Sequence, residues 1–128
     1  MSLHGIGVDI VDIARIQRLL DRHGERFLAR CFRPGELGSA ADGRDRFGLA
    51  ARVAGRWAVK EACLKAMGGD LRGIPYADIE VSREQGAGPS VTLHGRAAAA
   101  HADRGGGRIL ASLSHERRAA VGMVVIEG

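Results

Sequence analysis

Apolar residues keep a helical period most clearly between about Arg46 and Met67. Val59, Ala62, Cys63, Ala66 and Met67 fall at i, i+3, i+4, i+7 and i+8, one stripe of an α-helix. Leu49, Val53 and Trp57 form a second apolar set, turned well away from the first and extended by Leu64. A helix apolar on two sides is expected at the centre of a core or against a neighbouring subunit. Gly68-Gly69 predicts its stop. Glu61 lies nearly opposite the first stripe with Lys65 one turn later on its side, the order that makes a surface ion pair worth about 0.3–0.5 kcal/mol.

Upstream, residues 3–11 (LHGIGVDIV) read as a strand whose two glycines let the backbone approach another group closely. From Asp12 the period turns helical. Ile13, Ile16 and Leu20 make an inward stripe, and Arg15, Arg18 and Arg22 make a basic ridge, either a solvated face or a dock for an acidic partner helix. After His23-Gly24 a short helix is expected over Glu25–Arg30, then a turn at Arg33-Pro34-Gly35, a second short helical piece over Glu36–Ala41 and a loop at Asp42–Asp45. Beyond the long helix, Ala77–Arg83 and Ser90–His94 predict a hairpin across the turn-rich Glu84–Pro89. Gly95–Arg104 is an alanine-rich helix broken by three glycines. Ile109–Ser114 and Ala119–Ile126 are closing strands around a turn at His115–Arg118. Neither repeat nor linker divides the chain. Residues 1–128 are therefore expected to form a single α+β domain, a mostly antiparallel sheet packed against one long central helix.

Composition changes this picture little. One Trp, one Tyr and three Phe leave the core to aliphatic residues. The net charge of +4 comes almost wholly from arginine, because Lys60 and Lys65 are the only lysines. Arginine's planar donor fork suits phosphate and carboxylate, so an anionic ligand or partner fits. Cys31 and Cys63 lack CxxC spacing, and Cys63 belongs to an apolar stripe, which predicts free thiols rather than a disulfide. With neither a signal-peptide pattern nor an apolar run of membrane-spanning length, a soluble cytoplasmic protein is expected.

The candidate chemistry begins at Asp9, which interrupts an apolar run between Val8 and Ile10. A carboxylate there is costly unless it is paired, hydrogen-bonded or metal-bound; the plainer reading is an exposed strand residue or a cap for the following helix. Taken with Glu61, Asp9 supplies two hard oxygen ligands, the usual protein share for Mg²⁺ when phosphates and waters complete the octahedron. Lys65 could neutralise charge on a moving phosphoryl group.

Three segments, GIGVDIVDIARI, GRWAVKEACLKA and SLSHERRAAVGMVVIE, in this order, resemble the signatures of the holo-acyl-carrier-protein synthases, the short bacterial 4′-phosphopantetheinyl transferases. The resemblance implies that Asp9 and Glu61 bind Mg²⁺ and that Lys65 assists the phosphate chemistry. It implies transfer of the 4′-phosphopantetheine arm of coenzyme A to a serine of apo acyl carrier protein, releasing adenosine 3′,5′-bisphosphate. It also implies a homotrimer with active sites between subunits. The base that takes the serine proton is left open among Glu61, Asp9 through a water, and a metal-bound water. His115 matches a histidine found near the nucleotide in that family, although a turn histidine bonded to backbone fits equally. Arg56 and Lys60 are candidates for coenzyme A phosphates. The acidic surface of a carrier protein gives the ridge of Arg15, Arg18 and Arg22 a partner. Gly68-Gly69-Asp70 departs from the family's Gly-Thr-Gly after the helix.

Two alternatives come from other classes. An Arg-rich nucleic-acid-binding module is disfavoured by dispersed arginines, few stacking aromatics and no binding motif. A non-catalytic trimeric relative would differ in lacking activity.

Overall fold

Asp12 both ends the first strand and starts the first helix, its carboxylate accepting from the Ala14 N–H at 3.2 Å as an N-cap. In the computed structural model, which describes residues 2–38, 46–68, 72–83 and 86–128, that strand is β1 (Leu3–Asp12) and that helix α1 (Ile13–His23). Then follow α2 (Glu25–Cys31), α3 (Arg46–Ala66), β2 (Ile79–Arg83), β3 (Pro89–Leu93), α4 (Gly95–Asp103), β4 (Arg108–His115) and β5 (Ala119–Glu127). The expected helical piece over Glu36–Ala41 is a set of tight turns as far as Gly38, closed by Glu36 N–H to Arg33 O and Gly38 N–H to Gly35 O. Its remainder and the Asp42–Asp45 loop lie outside the described residues.

Among the described residues all strand pairs are antiparallel, but they make two sheets where one was expected: β1-β5-β4 and the hairpin β2-β3. The chain between β3 and β4 runs through α4, so those two strands touch without a shared ladder. The strand expected from Ala77 begins only at Ile79. Pro75 sets up a 3-10 turn over Tyr76–Asp78, and the Asp78 carboxylate accepts from the Arg96 N–H at 2.9 Å, tying that turn to the start of α4.

The helix α3 packs on β1, β5 and β4 and also meets β2 and α1. Its first stripe joins Ile79, Val81, Val124 and Ile126, and its second, through Leu49 and Val53, joins Ile13, Ile16, Phe32 and Leu37. Both apolar sides are thus covered by the chain itself, so the helix needs no neighbouring subunit to bury them. The uncovered apolar surface lies on β1, β5 and β4, where Leu3, Ile6, Val8, Ile10, Leu110 and Met123 are exposed. Cys31 and Cys63 are free and buried. Among the described residues no helix is long and apolar enough to cross a membrane.

Candidate active site

A close approach of backbone to backbone builds the site. A Cβ at Gly5 would overlap the carbonyl oxygen of Ala66, and one at Gly7 that of Ala62. Only glycine lets β1 lie this near α3. Asp9, on the same face of β1, is thereby set beside the last turns of the helix. Lys65 Nζ reaches it, donating to Asp9 Oδ1 at 3.0 Å and to the Val8 carbonyl at 3.0 Å. The Glu61–Lys65 surface pair expected from helical spacing does not form. Lys65 takes Asp9, and Glu61 Oε1 accepts from the hydroxyl of Tyr76.

Asp9, Glu61 and Lys65 therefore share one end of the β1–α3 seam. Both carboxylates act on the Tyr76 phenol: burial first, then its bond to Glu61, with the charge of Asp9 adding, hold its proton well above the ordinary tyrosine range. The donor set suits a hard divalent cation. Among the described residues no group of three or more His, Cys, Asp or Glu gathers, so a cation on Asp9 and Glu61 would complete its shell from phosphate oxygens and water, the common situation for Mg²⁺.

Lys60 is placed otherwise than expected. Its side chain is 0 % exposed, paired with Glu36 Oε2 at 2.7 Å and donating to the carbonyls of Tyr76 and Ile79. The Phe32 ring lies 4.7 Å from the ammonium. Burial pushes its pKa below the usual lysine value, and the bond to Glu36 opposes that shift. Glu36 is saturated in turn, accepting from the N–H groups of Arg33 and Val81. No phosphate can reach this ammonium, and Lys60 is removed from the coenzyme A candidates.

Arg56 keeps its candidacy. It borders a cavity of about 320 Å³ with Arg52, Arg83, Glu36 and Glu80, and its buried Nε has no hydrogen-bond partner. Burial, then the neighbouring charge of Arg52, lowers its pKa from the ordinary arginine value. Such crowding of like charge is relieved by an anion. His115 is exposed at the end of β4 and is not brought to Asp9, since β5 runs between their strands and two strand spacings amount to about 10 Å.

Arg15, Arg18 and Arg22 are exposed along α1 as the ridge predicts. Arg18 also borders a cavity of about 500 Å³ with Ile13, Arg117 and Arg118, so the turn before β5 adds two arginines that the sequence reading had left without a role. Tyr76 had been missed altogether. Its only sequence signal is that it is the chain's one tyrosine. Of the departure after the helix, Gly68 is described and Gly69 and Asp70 lie outside the described residues.

Comparison with known proteins agrees with this fold. The 4′-phosphopantetheinyl transferase superfamily matches over residues 5–121. A holo-[acyl-carrier-protein] synthase of Koribacter versatilis is 40% identical over 127 residues, covering 96% of this chain and 97% of the relative. The crystal structure of Helicobacter pylori holo-[acyl-carrier-protein] synthase in complex with coenzyme A superimposes with a TM-score of 0.79 at 31% identity, covering 95% of this chain and 99% of that one. The crystal structure of the Plasmodium yoelii holo-ACP-synthase gives 0.84 at 29% identity, covering 98% and 94%. Matched over nearly its whole length in sequence and in fold, the chain belongs to the holo-[acyl-carrier-protein] synthases of the 4′-phosphopantetheinyl transferase superfamily.

Proposed function

We propose that this protein transfers the 4′-phosphopantetheine arm of coenzyme A to a serine hydroxyl of an apo acyl carrier protein, leaving holo carrier and adenosine 3′,5′-bisphosphate. The observation that carries the reading is the convergence of Lys65 and Asp9 at 3.0 Å, one helical turn from Glu61. Asp9 and Glu61 would hold Mg²⁺, which when bound supplies Lewis-acid stabilisation of the pyrophosphate and the leaving phosphate. Lys65 is 51% exposed along its side chain and free to swing from Asp9 to a phosphate oxygen, where it neutralises or protonates the leaving group. The serine proton passes to Glu61, or to Asp9 through a water.

Arg56, with Arg52 and Arg83 around one cavity, is read as a grip for coenzyme A phosphates. His115 serves the nucleotide of a neighbouring subunit's site, and this follows from a homotrimer with active sites between subunits. What supports the trimer is the apolar outer face of the three-stranded sheet, centred on Ile6, Val8 and Ile10. The ridge of Arg15, Arg18 and Arg22 docks the acidic carrier. We place the reaction in the cytoplasm, where two free, buried thiols are at home.

Incubation with Mg²⁺, coenzyme A and an apo acyl carrier protein tests the reading. The expected result is a phosphopantetheine adduct on the carrier by mass spectrometry, lost when EDTA is added. A carrier of unchanged mass across apo acyl carrier proteins of fatty-acid and polyketide type would overturn it.

A further inference from the structure

Tyr76 is held from three directions. Lys60 Nζ donates to its carbonyl at 3.0 Å, fixing the backbone of the 3-10 turn. Its ring stacks on Trp57 with centroids 4.6 Å apart and planes 24° from parallel, and Trp57 in turn meets Phe27 at 5.5 Å. The turn itself is tied down through Asp78, which accepts from the Arg96 N–H and pairs with Arg33 at 3.8 Å. With backbone and ring set in this way, the hydroxyl has one place to go, and it donates to Glu61 Oε1. An ionised carboxylate only accepts, so the phenol is the donor.

Glu61 is half-buried on α3, and a metal ligand must present an oxygen in a fixed direction, which the bond from Tyr76 can set. We propose that Tyr76 is a positioning residue of the metal site: its hydroxyl pins Oε1 of Glu61, so that the other carboxylate oxygen faces the cation before the cation arrives. The proposal rests on the reading of Glu61 as a metal ligand. The buried Lys60–Glu36 pair then acts on the site at one remove, because it anchors the turn that carries Tyr76.

The test is a titration with Mn²⁺ alone, without coenzyme A or carrier, the free ion being followed by electron paramagnetic resonance. It compares the unsubstituted protein, Tyr76→Phe and Glu61→Gln, each checked for folding by circular dichroism. Tyr76→Phe keeps the stack on Trp57 and removes only the hydroxyl, so a purely structural ring leaves Mn²⁺ affinity unchanged. Loss of an outer partner of a ligand weakens binding by about 10- to 100-fold, and that is the expected rise in Kd for Tyr76→Phe. In turnover the same variant should need more Mg²⁺ while its KM for the carrier stays put. If Glu61→Gln loses Mn²⁺ binding and Tyr76→Phe binds like the unsubstituted protein, the positioning role is overturned. If Glu61→Gln itself binds Mn²⁺ normally, the metal reading of Glu61 fails, and this inference with it.

Discussion

Lys60 and Lys65, the only lysines of the chain, stand on one helix and live in opposite surroundings. Lys60 faces the 33–38 turns and β2, wholly buried, with Glu36, two carbonyls and the Phe32 ring around it. Lys65 faces β1, half exposed, with Asp9 and one carbonyl. All three N–H donors of Lys60 are engaged, which makes that region a fastener between segments distant in sequence. Lys65 has a partner it can exchange, and exchange is what a phosphate site needs. The same side chain is structure where its contacts are closed and, on the proposed reading, chemistry where they are open.

This contrast can be broken in four ways, in falling order of effect. Glu61→Gln should abolish transfer while leaving thermal melting where it was; near-normal activity would make the open region decorative. Next, the lysines should trade places in their consequences. Lys60→Met leaves Glu36 buried without its cation and should cost about 3–5 kcal/mol in urea unfolding. Lys65→Met should change stability by no more than about 1 kcal/mol, as for an exposed pair, and slow transfer about 100- to 1,000-fold. If both variants lost stability alike, the two regions would not differ in kind. Third, Arg15→Glu, Arg18→Glu and Arg22→Glu combined should raise KM for the carrier about tenfold or more and leave KM for coenzyme A in place, and equal effects on both would remove the ridge from docking. Smallest is the thiol next to the closed region. Burial pushes the Cys63 pKa up to about 12, so in the folded protein at pH 8 it should stay protonated and resist iodoacetamide until denaturant is added. Rapid native labelling would mean that the interior around Lys60 opens.

Legibility in the sequence followed how local each cause was. The stripe of α3 and the two glycines of β1 act through near neighbours or through a period, and each was readable, whereas the helix cap suspected at Asp9 falls on Asp12. Lys60 was not, because a lysine beside a glutamate on a helix looks solvated. Its true partner, Glu36, sits in a turn before the helix, and only tertiary packing brings it there. Tyr76 was hidden for the same reason, being a single aromatic after a proline with no period around it. The pairing of strands into two sheets was equally out of reach, since alternation marks a strand without naming its neighbour. Asp9 and Glu61 stood out as carboxylates from the residues themselves but could be joined into one site only through resemblance, and the Gly5–Gly7 approach supplies a physical reason they meet.

That approach has a bearing on how such a chain tolerates change. Along β1 the spacing to α3 is set by main-chain atoms in contact, with no side chain between them to swell, shrink or change rotamer. Substitutions elsewhere in the aliphatic core can accumulate, altering melting temperature and packing, without passing their volume changes on to the separation of Asp9 from Lys65. The Asp9–Lys65 spacing is thereby insulated from mutational drift in the interior.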